Sequence, residues 1–124
     1  MKKLFALGAI AIGLAVSGQA LAHGAKPKHG GVVQSAGDLS FELVTKDGKA
    51  VIYVDDHGAE RSTVGANGTL TVLAGGKKSE AVLEPMGANA LASKGEVKFE
   101  RGAKAVASIV LPGKEAISVR FARK

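Results

Sequence analysis

Histidine is the residue type that suggests chemistry in this sequence, and it occurs at three positions, His23, His29 and His57. If a leader is removed after Ala22, His23 becomes the first residue and presents its α-amine and its imidazole to one ion as a chelate. An α-amine has a pKa of about 8, so it is available as a ligand near neutral pH. His29 follows in a glycine-rich arm that can fold back to the same ion. Imidazole and amine nitrogens suit Cu(II), Zn(II) and Ni(II), so His23 and His29 are predicted to bind a divalent transition metal.

His57 is the third candidate metal ligand, because it follows Asp55 and Asp56 at the end of an apolar run and precedes Gly58. Whether it joins the other two histidines depends on how the strands connect. An alternative interpretation stays open for both patterns. Asp-Asp-His-Gly is typical of a hairpin tip, and a stretch rich in Gly, Lys and His is typical of a disordered chain end.

The remaining motifs do not assemble an enzyme active site. The sequence has no Cys, which removes thiolate chemistry, and no serine lies in a G-x-S-x-G motif. The stretch at 75–78 lacks the spacing of a phosphate-binding loop. Adjacent Asp55 and Asp56 would point to opposite faces of a strand, so they do not form a catalytic dyad. The sequence therefore predicts a protein without catalytic activity.

The first 22 residues have the pattern of a secretory signal peptide. Lys2 and Lys3 precede an apolar run at 4–16, and small residues at Ala20 and Ala22 mark a cleavage site. At about 1.5 Å per residue the run spans about 20 Å, which is short of the roughly 30 Å hydrocarbon core that a membrane anchor must cross. We therefore expect cleavage after Ala22, export to the periplasm, and no membrane span in the mature chain.

Composition and charge indicate one small domain and argue against nucleic-acid binding. A chain of 124 residues of which 46% are hydrophobic can fold around one core. The 17 Lys and Arg residues outnumber the 11 Asp and Glu residues, but they are scattered along the sequence with few aromatic residues. A nucleic-acid surface needs clustered cations, preferably with aromatic platforms. The expected organisation is a signal peptide at 1–22, a flexible histidine-containing arm at 23–31 and a single β domain at 32–124.

Alternation of apolar and polar residues predicts strands over most of that domain. Three pairs of alternating runs flank turn sequences: 39–43 and 50–54 around Asp47-Gly48, 70–74 and 81–83 around 75–78, and 106–111 and 117–121 around Pro112-Gly113. Pro85 is expected to stop the second of these return strands. No stretch after Ala22 has a helical period. The pattern predicts an all-β fold, a small antiparallel β-sandwich or barrel of about 6–8 strands.

Several stretches together resemble a known group of proteins: HGAKPKHGGVVQ, DLSFELV, IYVDDHG, LTVLAGGKK and GAKAVASIVLPG. They are similar to small periplasmic proteins of Gram-negative bacteria that are associated with heavy-metal efflux, and to modules that precede the membrane-fusion subunits of efflux pumps. The resemblance implies a periplasmic β domain that binds or delivers a transition metal. It implies metal ligands at His23, His29 and His57, and a pump subunit as a partner.

Two function classes follow from these observations. The first is a periplasmic module that binds, buffers or delivers Cu(II) or Zn(II) in connection with metal efflux. The alternative is a structural or interaction module without a metal, which would offer an edge strand or a loop face to a protein partner.

Overall fold

The computed structural model describes residues 26–124. The expected signal peptide and His23 lie outside these residues. The strands are β1 (Val32–Ala36), β2 (Leu39–Lys46), β3 (Lys49–Asp56), β4 (Ala59–Glu60), β5 (Asn67–Ala74), β6 (Lys77–Met86), β7 (Ala90–Ser93), β8 (Lys104–Val110) and β9 (Ile117–Ala122). Within 26–124 there is no helix that could cross a membrane.

All nine strands belong to one antiparallel sheet. Its order is β1-β2-β3-β7-β6-β5-β8-β9, with β4 pairing to β3 outside this path. β9 also lies beside β1, so the sheet curls into a nearly closed barrel. Closure of this kind covers the edge strands of an open sheet, which otherwise expose unpaired backbone groups. The prediction of an all-β antiparallel fold is confirmed.

Strict alternation along the strands fills the inside of the barrel. On β2 and β3, the inward residues Phe41, Leu43, Ile52 and Val54 are almost completely buried. Their neighbours on the other face, which include Glu42 and Tyr53, point outward, as period two requires. Burial of each large apolar side chain contributes about 1.5–3 kcal/mol, so this core holds β2 and β3 firmly under any group attached to their outer face.

Tight two-residue turns connect three of the hairpins. Asp47 and Gly48 have φ angles of 53° and 79°, and Gly75 and Gly76 have 58° and 81°. Positive φ at both central positions is the mark of the type I′ turn, which matches the twist of antiparallel strands. The predicted hairpins at these two places are confirmed. The same geometry recurs between β3 and β4, where His57 is the first turn residue.

Three strands differ from the sequence expectation. β1 and β7 have no strong alternating pattern, and β6 continues through Pro85, which pairs with Leu91 of β7. The prediction that the strand stops at Pro85 is wrong. β6 can continue through this proline because its pairing with β5 ends at Leu83. Beyond that point β6 has one neighbour, and a residue without an N–H is tolerated there.

The barrel has two ends that carry different loops. The "His57 end" comprises the β1–β2 turn, the β3–β4 turn and the β8–β9 loop at 111–116, and Asp38, Asp56 and Lys114 line one cleft there. The "Gly48 end" comprises the β2–β3 turn, the β5–β6 turn, the segment 94–103 and residues 123–124. Backbone bonds from Val97 N–H to the Gly48 carbonyl (2.8 Å) and from Gly102 N–H to the Arg123 carbonyl (2.7 Å) join these segments.

Candidate functional site

Glu42 anchors the chain segment that precedes the barrel. Its side chain leaves the outer face of β2, yet only 6% of the residue is exposed. One carboxylate oxygen, Oε1, accepts the Lys28 N–H at 2.9 Å. The other, Oε2, accepts the N–H groups of His29 and Gly31, both at 2.8 Å. Residues 28–31 thus wrap around one carboxylate, an attachment that the sequence analysis did not anticipate.

Two glycines let the chain make this approach. Gly30 has a φ of 76°, a conformation that side chains other than glycine seldom adopt. Gly31 passes so close to β2 that a Cβ atom would lie 2.3 Å from the Leu43 carbonyl oxygen. The arm can therefore turn back over the outer face of β2 and β3, and in doing so it covers Glu42.

The His29 ring is fixed in this arrangement from two sides. Its Nδ1 lies 3.0 Å from Glu42 Oε1, and the ring stacks on Tyr53 of β3 with a centroid separation of 3.6 Å and an interplanar angle of 5°. A carboxylate oxygen accepts hydrogen bonds, so the neutral form of the ring carries its proton on Nδ1, and Nε2 is then the nitrogen without a proton. The side chain is 38% exposed. Nε2 is the nitrogen left available to bind a ligand.

The surroundings of Glu42 favour its charged form. Burial raises the pKa of the carboxyl group, but hydrogen bonds from the Gly31 N–H, the His29 ring and the N–H groups of Lys28 and His29 together lower it below its ordinary value of 4.5. Ionised Glu42 is therefore the state that holds the arm, because a carboxylate accepts every one of these bonds and a protonated acid does not.

We expect the arm to detach in acid before the barrel unfolds. The pKa of Glu42 is lower in the folded chain, so its contribution to the unfolding free energy is fully present above the ordinary value and is lost as the pH falls through the lower, folded-state value. Hydrogen exchange of the Lys28, His29 and Gly31 amides, followed from about pH 7 to about pH 3, checks this expectation. If these amides remain protected from exchange at about pH 3, the expectation is contradicted.

Lys28 extends the arm to the turn that carries His57. Its Nζ lies 2.8 Å from Asp55 Oδ2 and 3.0 Å from the Gly58 carbonyl oxygen. Both contacts are on β3 or on the β3–β4 turn, so the arm and the turn are neighbours at the His57 end. The strand connection therefore places the His57 turn beside the arm, and sharing of one ion by the three histidines stays a prediction.

His57 is at the tip of a type I′ hairpin, as the alternative interpretation of Asp-Asp-His-Gly proposed. Its φ is 52°, and Nδ1 lies 2.7 Å from Asp56 Oδ1. The side chain is 79% exposed, and no aromatic ring of residues 26–124 stacks on it. Like His29, it is hydrogen-bonded to a carboxylate through Nδ1, so Nε2 faces away from that partner. The ring is held much less firmly than His29.

The described residues do not contain a complete metal site. Within 26–124, no three side chains of the types His, Asp or Glu are grouped so that they could share one ion. Asp55 is engaged by Lys28, and Asp56 by His57. The structure presents His29 and His57 as two separate, carboxylate-bound imidazoles, and a site built on His29 needs ligands from outside this part of the chain.

Comparison of the chain with family models, curated proteins and solved structures found no significant match. The resemblance to efflux-associated periplasmic proteins therefore stays a prediction.

Proposed function

We propose that this chain is an exported protein that binds Cu(II) or Zn(II) through Nε2 of His29 and through the chelate formed by the α-amine and ring of His23. The observation that supports this proposal is the Nδ1 contact of His29 with buried Glu42, which in the neutral ring directs the proton to Nδ1 and leaves Nε2 to bind the ion. Imidazole and amine nitrogens are the donors that these two ions prefer.

The carboxylate behind the imidazole is the arrangement that metal-binding histidines commonly have. The hydrogen bond from Nδ1 to a carboxylate fixes the tautomer and the ring orientation and makes Nε2 more basic. Stacking on Tyr53 further limits rotation of the His29 ring. The ring is therefore in a binding orientation before an ion arrives, so the side chain loses less conformational entropy when the ion binds.

His23 supplies the ligands that the described residues lack. It precedes His29 by six residues, and an extended segment of that length spans at most about 20 Å. The ion would have three nitrogen ligands, with water completing the coordination of Cu(II) or Zn(II). His57 is proposed as an auxiliary ligand, since Lys28 joins the arm to its turn.

Such a site suits buffering or delivery of an ion. Two of its three ligands would belong to the chain terminus, so another protein could take the ion without unfolding the barrel. Coordination also requires unprotonated imidazole and amine groups, so affinity falls as the pH falls. The efflux-pump subunit that the sequence resemblance implies is proposed as the acceptor.

Calorimetric titration of the mature protein, residues 23–124, with Cu(II) tests this proposal. We expect one ion per chain, and His23→Asn should weaken binding by at least about tenfold because it removes one imidazole and keeps the amine. The matched control is Lys26→Gln, a change in the same arm that removes no proposed ligand and should alter affinity by less than about twofold. Equal affinities of the mature protein and the His23 variant would contradict the proposal.

A further inference from the structure

The Gly48 end of the barrel has an open cleft of about 640 Å³. Four cationic side chains line it: Lys98 and Arg101 from the segment after β7, and Arg123 and Lys124 from the segment after β9. The guanidinium of Arg123 donates to the Phe99 carbonyl oxygen at 2.7 Å, which holds it against the cleft wall. These cations are far apart in the sequence, and the fold brings them together.

The cations of this cleft outnumber the acids around it. Asp47 and Glu100 are the acids that line it, and the Glu96 carboxylate lies beside Gly48 at its edge. In residues 26–124, the ion pairs within 4.0 Å involve Lys28, His29, His57 and Lys94, so none of the four cleft cations has a carboxylate partner from that part of the chain. The cations are available to an external anion.

Neighbouring turns extend the positive surface beyond the cleft. Lys46 and Lys49 flank the β2–β3 turn on one side, and Lys77 and Lys78 follow the β5–β6 turn on the other. That second turn shares a depression of about 410 Å³ with Arg101. The opposite end has the reverse character, since acids outnumber bases in the cleft of the His57 end. The charges that look scattered in the sequence are therefore separated between the two ends of the barrel.

We propose that the Gly48 end binds an acidic peptide segment of a partner protein. The cations are distributed over four separate chain segments around one end, and a small anion would contact few of them, whereas an extended acidic peptide can follow them. The cleft is concave, which disfavours a flat lipid surface as its occupant. Complementary charge of this kind accelerates association and selects the partner. The inference is independent of metal binding.

A fluorescein-labelled peptide of about ten glutamates, monitored by fluorescence anisotropy, tests this inference on the mature chain. Lys98→Glu combined with Arg101→Glu should weaken binding by about tenfold or more at low salt. The control pair Lys114→Glu and Arg120→Glu changes the net charge by the same amount outside the Gly48 end and should weaken binding by less than about threefold. A similar loss in both pairs would show attraction by net charge alone and would overturn the proposal, as would absence of peptide binding.

Two further probes distinguish the ligand class. Vesicles with about a third phosphatidylserine should bind more weakly than the peptide, and inorganic phosphate at an equal concentration of charge should not displace the peptide. Vesicle binding that is stronger than peptide binding and sensitive to the Lys98 and Arg101 changes would overturn the proposal in favour of a membrane. Displacement by phosphate would overturn it in favour of a small anion.

Discussion

Replacement of His29 by asparagine is expected to weaken Cu(II) binding by about 100-fold. The change removes the imidazole whose Nε2 is the proposed ligand. Mutation of a group that only orients a metal ligand commonly lowers metal affinity about 10–100-fold, so loss of the ligand itself should lower it at least as much. Asparagine can still donate a hydrogen bond from its amide to Glu42, and the backbone N–H groups of the arm are untouched. The loss of affinity therefore reports the missing ligand and not a detached arm.

His57→Asn is the comparison variant for this experiment, because His57 is proposed only as an auxiliary ligand. Asparagine tolerates the positive φ of 52° at this turn position and favours a type I′ turn before glycine, so the hairpin should stay intact. Because the ring of His57 is 79% exposed and stacks on no aromatic ring in the described part of the chain, we expect its removal to weaken Cu(II) binding by less than about threefold. Isothermal titration of both variants measures the difference. Equal losses of Cu(II) affinity in the two variants would contradict the assignment of His29 as the principal ligand within residues 26–124.

Glu42→Gln should lower both the stability of the chain and its affinity for Zn(II). The substitution keeps the shape of the side chain but replaces an ionised acceptor with a neutral amide, whose NH₂ group would face backbone N–H donors. Hydrogen bonds to a charged group contribute about 1.5–3 kcal/mol each, and a loss of about 2 kcal/mol in the free energy of unfolding is expected after the neighbouring groups rearrange. Zn(II) affinity should fall by about tenfold because the His29 ring loses its orienting partner.

Glu84→Gln provides the control for the Glu42 change. Glu84 is also a strand carboxylate, but its side chain is 55% exposed and its partner, Lys94, lies 3.8 Å away. An exposed pair of this kind contributes little, so stability should change by less than about 0.5 kcal/mol. Urea unfolding and zinc titration of both variants measure the two effects. Similar results for Glu42 and Glu84 would contradict the role of Glu42 as the anchor.

Local sequence patterns were sufficient for the hairpins. Alternation along β2 and β3 and the Asp47-Gly48 turn between them are both encoded within a few residues, and the structure confirms them. β7 could not be predicted in this way because its alanine-rich sequence has low strand propensity. It is a strand because β3 and β6 both pair with it, and those strands come from distant parts of the sequence.

The candidate site could be predicted only in part for a similar reason. His29 stands out by residue type, but Glu42 looks like an ordinary outward position of a strand, and Tyr53, which alternates with apolar neighbours, looks like a core residue. Their importance depends on an arm that turns at Gly30 and covers them, which is a contact between segments distant in sequence. Period two identified the outer face of β2 without indicating that anything lies on it.

The most direct measurement of the central claim is a long-range proton–nitrogen correlation spectrum of the histidine rings during Zn(II) titration of the mature protein. We expect His29 to be protonated at Nδ1 before zinc is added, and its Nε2 resonance to shift until one ion per chain has been added while Nδ1 keeps its proton. A His29 Nε2 resonance that does not move while zinc binds, or a shift of Nδ1 in its place, would contradict the account.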